Sequence, residues 1–308
     1  MQKRAIIRFA CSLAVIAAAW LAVDRLGSWG MAWAFRHTHY TKVQKIREIA
    51  DAVDADVVLL GTSRCEFHYV PSVIADTMGM SVYNAGIDAS SNIYSQYMVL
   101  SYLLQHYRPK VVCLDTGESE FAESEAGIDF DQIGIFAPLY GHCAAADSMF
   151  GVAGTSAFYQ LSHLYRYHSN ADLVLGGLFA APDPDEDCGF HPLPAVSTPP
   201  AGFIYPPALV TDHRKVDMFH RFIGLCRSKG IQLVLSISPS LAQVDSTYYG
   251  VIRDIAAEQG IPLLDYDTSN LFCDHLEYFR DEAHLCGDAA RLFSAIFAHD
   301  LRETITLR

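Results

Sequence analysis

Apolar and polar positions along this chain follow two rhythms. Five short runs are apolar almost throughout: DVVLLG at 56–61, SVYNAG at 81–86, KVVCLDT at 110–116, IQLVLSIS at 231–238 and IPLLDYD at 261–267. Between them lie longer segments whose apolar residues recur every three or four positions. These predict helices over about 40–55, 71–78, 91–107, 213–229, 248–259 and 285–300. The last pattern is the clearest, with Leu285, Ala289, Leu292, Phe293, Ile296 and Phe297 on one helical face. A strand that is apolar on both sides must be covered on both sides. Such strands alternating with helices predict a three-layer α/β/α sandwich around a mostly parallel sheet.

Two segments break the rhythm. Residues 5–23 carry no charge except Arg8, and these nineteen positions are just enough to cross a hydrocarbon layer of about 30 Å as a helix. Lys3, Arg4 and Arg8 at the amino end favour an orientation with the N-terminus inside and the bulk of the chain on the extracytoplasmic side. A cleavable signal peptide, with Ala17 and Ala19 near a processing site, is the competing reading. Both readings export the remaining chain. Trp29, Trp33 and Phe35 follow the span and suit either the outer interface or packing on the domain. The second break lies between the third and fourth strands, at about 117–211. Helical patches over 141–168 give way there to APDPDEDCGFHPLPAVSTPPAGFIYPP at 181–207, whose Pro, Gly and acidic residues predict loop. An insertion at the carboxyl edge of a sheet is expected to shape a binding site rather than to support the core. The organisation read from the chain is therefore an anchor at 1–25, a juxtamembrane linker and helix at 26–55, and an α/β domain at 56–308.

Composition adds two exclusions. With 308 residues, 51% hydrophobic and 19% charged, the chain is globular without extensive disorder. Its formal charge of −13 leaves no basic surface to displace counterions from phosphates, which argues against a nucleic-acid partner. Eight cysteines are present. Cys11 lies in the span, so an odd number remains outside it and at least one stays unpaired in a monomer. Export would permit disulfides among the others, with no connectivity readable. Cys113, inside an apolar strand, is expected to be a buried free thiol.

Ligands of doubly wound sheets collect outside the carboxyl ends of the strands. The first strand ends on Gly61-Thr62-Ser63-Arg64. The second ends on Tyr83-Asn84-Ala85-Gly86, where glycine would let the backbone approach a bound group. Beyond the fifth strand, Asp281 and His284 precede the last helix. Taken alone, Ser63 is an ordinary helix cap and His284 an ordinary structural histidine. Together they supply a nucleophile and a base: a serine hydroxyl needs a neighbour to take its proton, and histidine has a suitable pKa. A carboxylate three residues before the histidine can hold the ring tautomer through Nδ1–H.

These residues carry a resemblance. The chain is similar to the SGNH (GDSL-like) hydrolase superfamily, in an envelope-anchored branch with the lipoteichoic-acid D-alanylation protein and polysaccharide O-acetylation proteins. Ser63 in LLGTSR matches the first block, YNAG the glycine region of the second, and DEAH the D-x-x-H signature, over roughly 56–301. The resemblance implies a flavodoxin-like sheet and a Ser63-His284-Asp281 triad. It implies an exported, membrane-anchored serine esterase or O-acyltransferase acting on an acylated glycan or lipid of the cell envelope, alongside envelope-modification partner proteins and without a cofactor. Candidate oxyanion donors are the backbone N–H groups of Ser63 and Gly86 and the Asn84 amide. Many members carry an asparagine after the third strand; here the stretch reads LDTGESEF without one, so either Asn84 replaces it or Glu118 serves the substrate nearby. Arg64 either holds an anionic substrate group or pairs with Glu118.

Two other readings stand beside this one. A non-catalytic binding or assembly protein of envelope polysaccharide modification would keep the fold without turnover, and the missing asparagine motivates it. A metal-dependent hydrolase would draw on Cys273, His275, His284 and Cys286, but their spacings match no closed zinc motif, and Cys273 with Cys286 suits a disulfide equally well. His68, His142, His163, His191 and His275 are read as surface or core histidines.

Overall fold

The computed structural model describes residues 2–89, 92–118, 120–123, 132–184, 186–198, 200, 203–204, 210–243, 248–267 and 270–305. In chain order the principal helices and strands are α1 (Gln2–His37), α2 (Thr41–Asp51), β1 (Val57–Leu60), α3 (Ser63–His68), α4 (Pro71–Met78), β2 (Val82–Asn84), α5 (Ile93–Leu103) and β3 (Val111–Asp115). There follow α6 (Ala144–Val152), α7 (Ser156–Leu161), α8 (Ala171–Gly176), α9 (His213–Ser228), β4 (Gln232–Ile237), α10 (Gly250–Gln259), β5 (Leu263–Asp265) and α11 (Gly287–Thr304). The chain forms two compact units: one comprises residues 1–44 and 134–182, the other 45–133 and 183–308.

The larger unit is built on one sheet of order β2-β1-β3-β4-β5, with every pairing parallel. β1 and β3 are buried at every position, as their unbroken apolar sequence requires. The helices that cover this unit include α4 and α11, which supply Ile74, Phe293 and Phe297 to the cluster under β1 and β3. Truncating either phenylalanine to alanine is expected to cost about 3–5 kcal/mol. α5, buried along nearly its whole length, packs against α9.

Helix ends follow local chemistry. α5 begins at Ile93 because the Asn92 side chain accepts from Tyr94 N–H at 3.1 Å, and α9 begins after Asp212, which accepts from Arg214 N–H at 2.8 Å. Pro71 opens α4, and Gly79 closes it with φ of 64°. The last helix starts two residues later than its apolar pattern indicates. Residues 279 and 285 pair as an antiparallel bridge, with Cys286 N–H donating to Tyr278 C=O at 2.8 Å. Leu285 is thus buried from an extended segment rather than from a helical face.

Part of the predicted insertion supports the core, contrary to expectation. Asn84 N–H donates to Cys188 C=O at 2.9 Å beside β2, and Phe190 is fully buried in the cluster beneath the sheet. All eight cysteines are free thiols, Cys273 and Cys286 included, and Cys113 is buried.

The smaller unit contains α1 and the helices α6 to α8. α1 is the one helix among the described residues long and apolar enough to cross a membrane. Of the aromatic residues beyond its apolar stretch, Phe35 is buried while Trp29 and Trp33 are exposed.

Candidate active site

β1 delivers the chain to Gly61, whose φ of 156° is one that side-chain-bearing residues rarely adopt. A Cβ there would lie 2.5 Å from Cys65 Cβ, so glycine lets α3 start at once. Ser63 is the first residue of α3, partly exposed at the carboxyl end of the central strands. Its N–H is among those that a helix start leaves without a carbonyl partner, since Glu66 N–H makes the first such bond, to Thr62 C=O.

The 279–285 hairpin presents the other two residues. Asp281 Oδ1 accepts from Ala283 N–H at 2.9 Å and His284 N–H at 3.0 Å, which closes the turn. The same carboxylate lies 2.8 and 3.0 Å from His284 Nδ1. His284 Nε2 lies 2.7 Å from Ser63 Oγ. The three residues named from sequence thus form one continuous hydrogen-bonded line across more than two hundred positions of chain. Burial would raise the Asp281 pKa, but the Ala283 N–H and the His284 ring beside it hold it below the usual carboxylate range. The Phe67 ring stands edge-on to the imidazole, with centroids 5.5 Å apart.

His68, at the other end of α3, ties the two halves together. It is fully buried, and its Nε2 accepts from Leu285 N–H at 3.0 Å, next in sequence to His284. That bond requires the proton to sit on Nδ1. Burial, with the neighbouring His284 and Arg64, pushes the His68 pKa well below 6.5. Sequence reading placed His68 only as a surface or core histidine. Its position five residues after Ser63, on the inward side of the same short helix, was the available signal.

Two proposed oxyanion donors are committed elsewhere. The Asn84 amide is buried and donates to Cys65 C=O at 2.7 Å and Tyr69 C=O at 2.8 Å, closing the carboxyl end of α3. Its carbonyl accepts the Gly86 N–H at 3.0 Å. Gly86 does permit a close approach, but to α3 rather than to a ligand: a Cβ there would lie 2.6 Å from Glu66 N. Lys45 fastens the same corner, donating to Gly86 C=O at 2.7 Å and pairing with Glu66 at 2.9 Å.

Arg64 points into the protein. It is 4% exposed, donates to Thr116 C=O at 2.6 Å and pairs with Glu118 at 3.4 Å. Of the two roles expected for it, only the pairing agrees with this burial. Below it, Asp115 accepts from Tyr69 Oη at 2.6 Å and from Ser238 N–H at 2.9 Å. Cys65, two residues from Ser63, is no rival nucleophile, since burial pushes its thiol pKa far up. Among the described residues no group of three or more His, Cys, Asp or Glu side chains is arranged to hold a metal ion.

No family model matches the chain, and no curated protein matches it. Solved structures of similar fold include a GDSL-like lipase from Bacteroides thetaiotaomicron, 10% identical, with 86% of this chain and 100% of that one covered at a TM-score of 0.44. They also include the acetyl xylan esterase AlAXEase, 13% identical, with 81% and 100% covered at a TM-score of 0.40.

Proposed function

We propose that this chain is a membrane-anchored serine esterase or O-acyltransferase of the SGNH type, acting on an ester-linked acyl group of a cell-envelope glycan or lipid. One observation carries the reading: Ser63 Oγ, His284 and Asp281 are joined by hydrogen bonds of 2.7 and 2.8 Å at a partly exposed strand end.

The chemistry follows from donors and acceptors. An ionised Asp281 can only accept, so the His284 proton resides on Nδ1 and the Nε2 lone pair faces the serine hydroxyl. As Ser63 Oγ attacks the ester carbonyl, Nε2 takes its proton, and the resulting imidazolium is stabilised by Asp281. The negative oxygen of the tetrahedral intermediate finds the Ser63 N–H at the start of α3. His284 then returns the proton to the departing alcohol, leaving an acyl group on Ser63. Water completes hydrolysis; a sugar hydroxyl completes transfer. α1, read as an anchor with the larger unit outside the membrane, would keep that choice of acceptor at the envelope.

A non-catalytic binding or assembly protein is the second reading. The commitment of Asn84 and Gly86 to internal acceptors favours it, because fewer donors remain for an oxyanion. Hydrolysis of p-nitrophenyl acetate by the full chain separates the two. The esterase reading predicts turnover that falls by about four orders of magnitude or more in Ser63→Ala. No turnover by folded wild-type protein supports the binding protein.

A further inference from the structure

We propose that the unit formed by α1 and residues 134–182 is a foot seated in the membrane interface, with Phe158, Leu161 and Tyr165 immersed among lipid headgroups and upper acyl chains. The inference rests on the reading of α1 as an anchor.

α1 has 36 residues and a length of about 54 Å, against a hydrocarbon layer of about 30 Å. Its carboxyl part therefore stands beyond the apolar stretch, and Asp24 is the first acidic residue it meets. A carboxylate at that level would ordinarily face water or headgroups. Asp24 instead is 3% exposed and accepts from three groups of one turn: Ser162 Oγ, His163 N–H at 3.1 Å and Leu164 N–H at 3.1 Å. Nearby, Gly27 lets the turn approach closely, since a Cβ there would lie 3.0 Å from a Leu164 methyl. The 162–164 turn is thus fastened to the helix at the residue where the span ends. That join sets its depth.

The side chains beside the join are the wrong ones for water. Phe158 and Leu161, on α7, are 56% and 65% exposed, and Tyr165 is 40% exposed. The Phe158 and Tyr165 rings lie 5.7 Å apart, so they form one patch rather than scattered exceptions. Arg25, half-exposed and paired to Asp24 at 2.7 Å, adds a cation at headgroup level. A recess of about 370 Å³ follows the same join, walled in part by Trp20, Val23, Met31, Leu164 and Tyr165. Trp20 and Val23 belong to the apolar span itself. The recess therefore continues the lipid-facing surface of the helix and suits an acyl chain. Aromatic and aliphatic side chains flanked by a cation, at the point where a span leaves hydrocarbon, match the chemistry of the bilayer interface.

Photocrosslinking in lipid nanodiscs tests this with the full chain. The photoreactive residue p-benzoylphenylalanine replaces Phe158, Leu161 or, within the span, Leu13, and adducts are read by intact mass. The foot predicts lipid adducts at 158 and 161 comparable in yield to those at 13. Adducts at 13 alone would overturn the foot and leave the anchor standing. Absence of adducts at all three would overturn the anchor reading and the foot with it. Covalent dimers at 158 or 161 in place of lipid adducts would assign the patch to a second copy of the chain, against the proposal.

Discussion

His68 links the nucleophile's helix to the base's hairpin through one hydrogen bond, to Leu285 N–H. Glutamine can still present an acceptor there; phenylalanine cannot. His68→Gln is expected to retain most ester hydrolysis, and His68→Phe to lose kcat with little change in KM, because only the placement of His284 against Ser63 is disturbed. Steady-state kinetics on the two variants checks this. The same residue makes a stability prediction. Above pH 6.5 its ring is neutral in both folded and unfolded chains and its burial carries no ionic cost. Below that value the unfolded chain takes up a proton that the folded chain refuses, so stability falls as pH falls, by at most about 1.4 kcal/mol per pH unit from this group. Urea midpoints measured at about pH 7 and about pH 5 should therefore drop further in wild type than in His68→Gln. Equal drops would contradict the buried neutral ring.

At the scale of elements, the site depends on how closely the loop after β2 approaches α3. Gly86→Ala would place a methyl carbon 2.6 Å from Glu66 N and 2.9 Å from Cys65 C, backbone atoms that no rotamer change can move. The variant is expected to lose about 1–3 kcal/mol and to misplace Ser63. Gly224→Ala, on α9 with nothing within 4 Å, should gain about 0.5–1 kcal/mol. Urea midpoints of the pair check both signs. The same corner explains what sequence could and could not reveal. The central strands β1, β3 and β4 were readable because their burial on both faces leaves a local record in nearly every residue. Helix starts were less so, since Asn92 decides where α5 begins and the 279–285 pairing delays α11. The role of Asn84 was beyond reach: its amide closes a helix from nearly twenty residues earlier, an arrangement that exists only after β2 has paired with β1.

For the molecule as a whole, the candidate triad draws on chain segments far apart in sequence, and its legibility came from motif order rather than from any local pattern. The predicted insertion was the least legible region. Its Pro- and Gly-rich tract looks like loop, yet Phe190 within it enters the core and residues 134–182 join α1 in a separate unit. Those outcomes depend on long-range packing that composition does not encode. The central claim is that Ser63 is activated by His284 for acyl chemistry. A fluorophosphonate probe, which labels only an activated serine, followed by peptide mapping, tests it most directly. The account predicts one adduct, on Ser63, lost in Ser63→Ala and strongly slowed in Asp281→Asn. Folded wild-type protein that takes no label, or takes it at another residue, would contradict it.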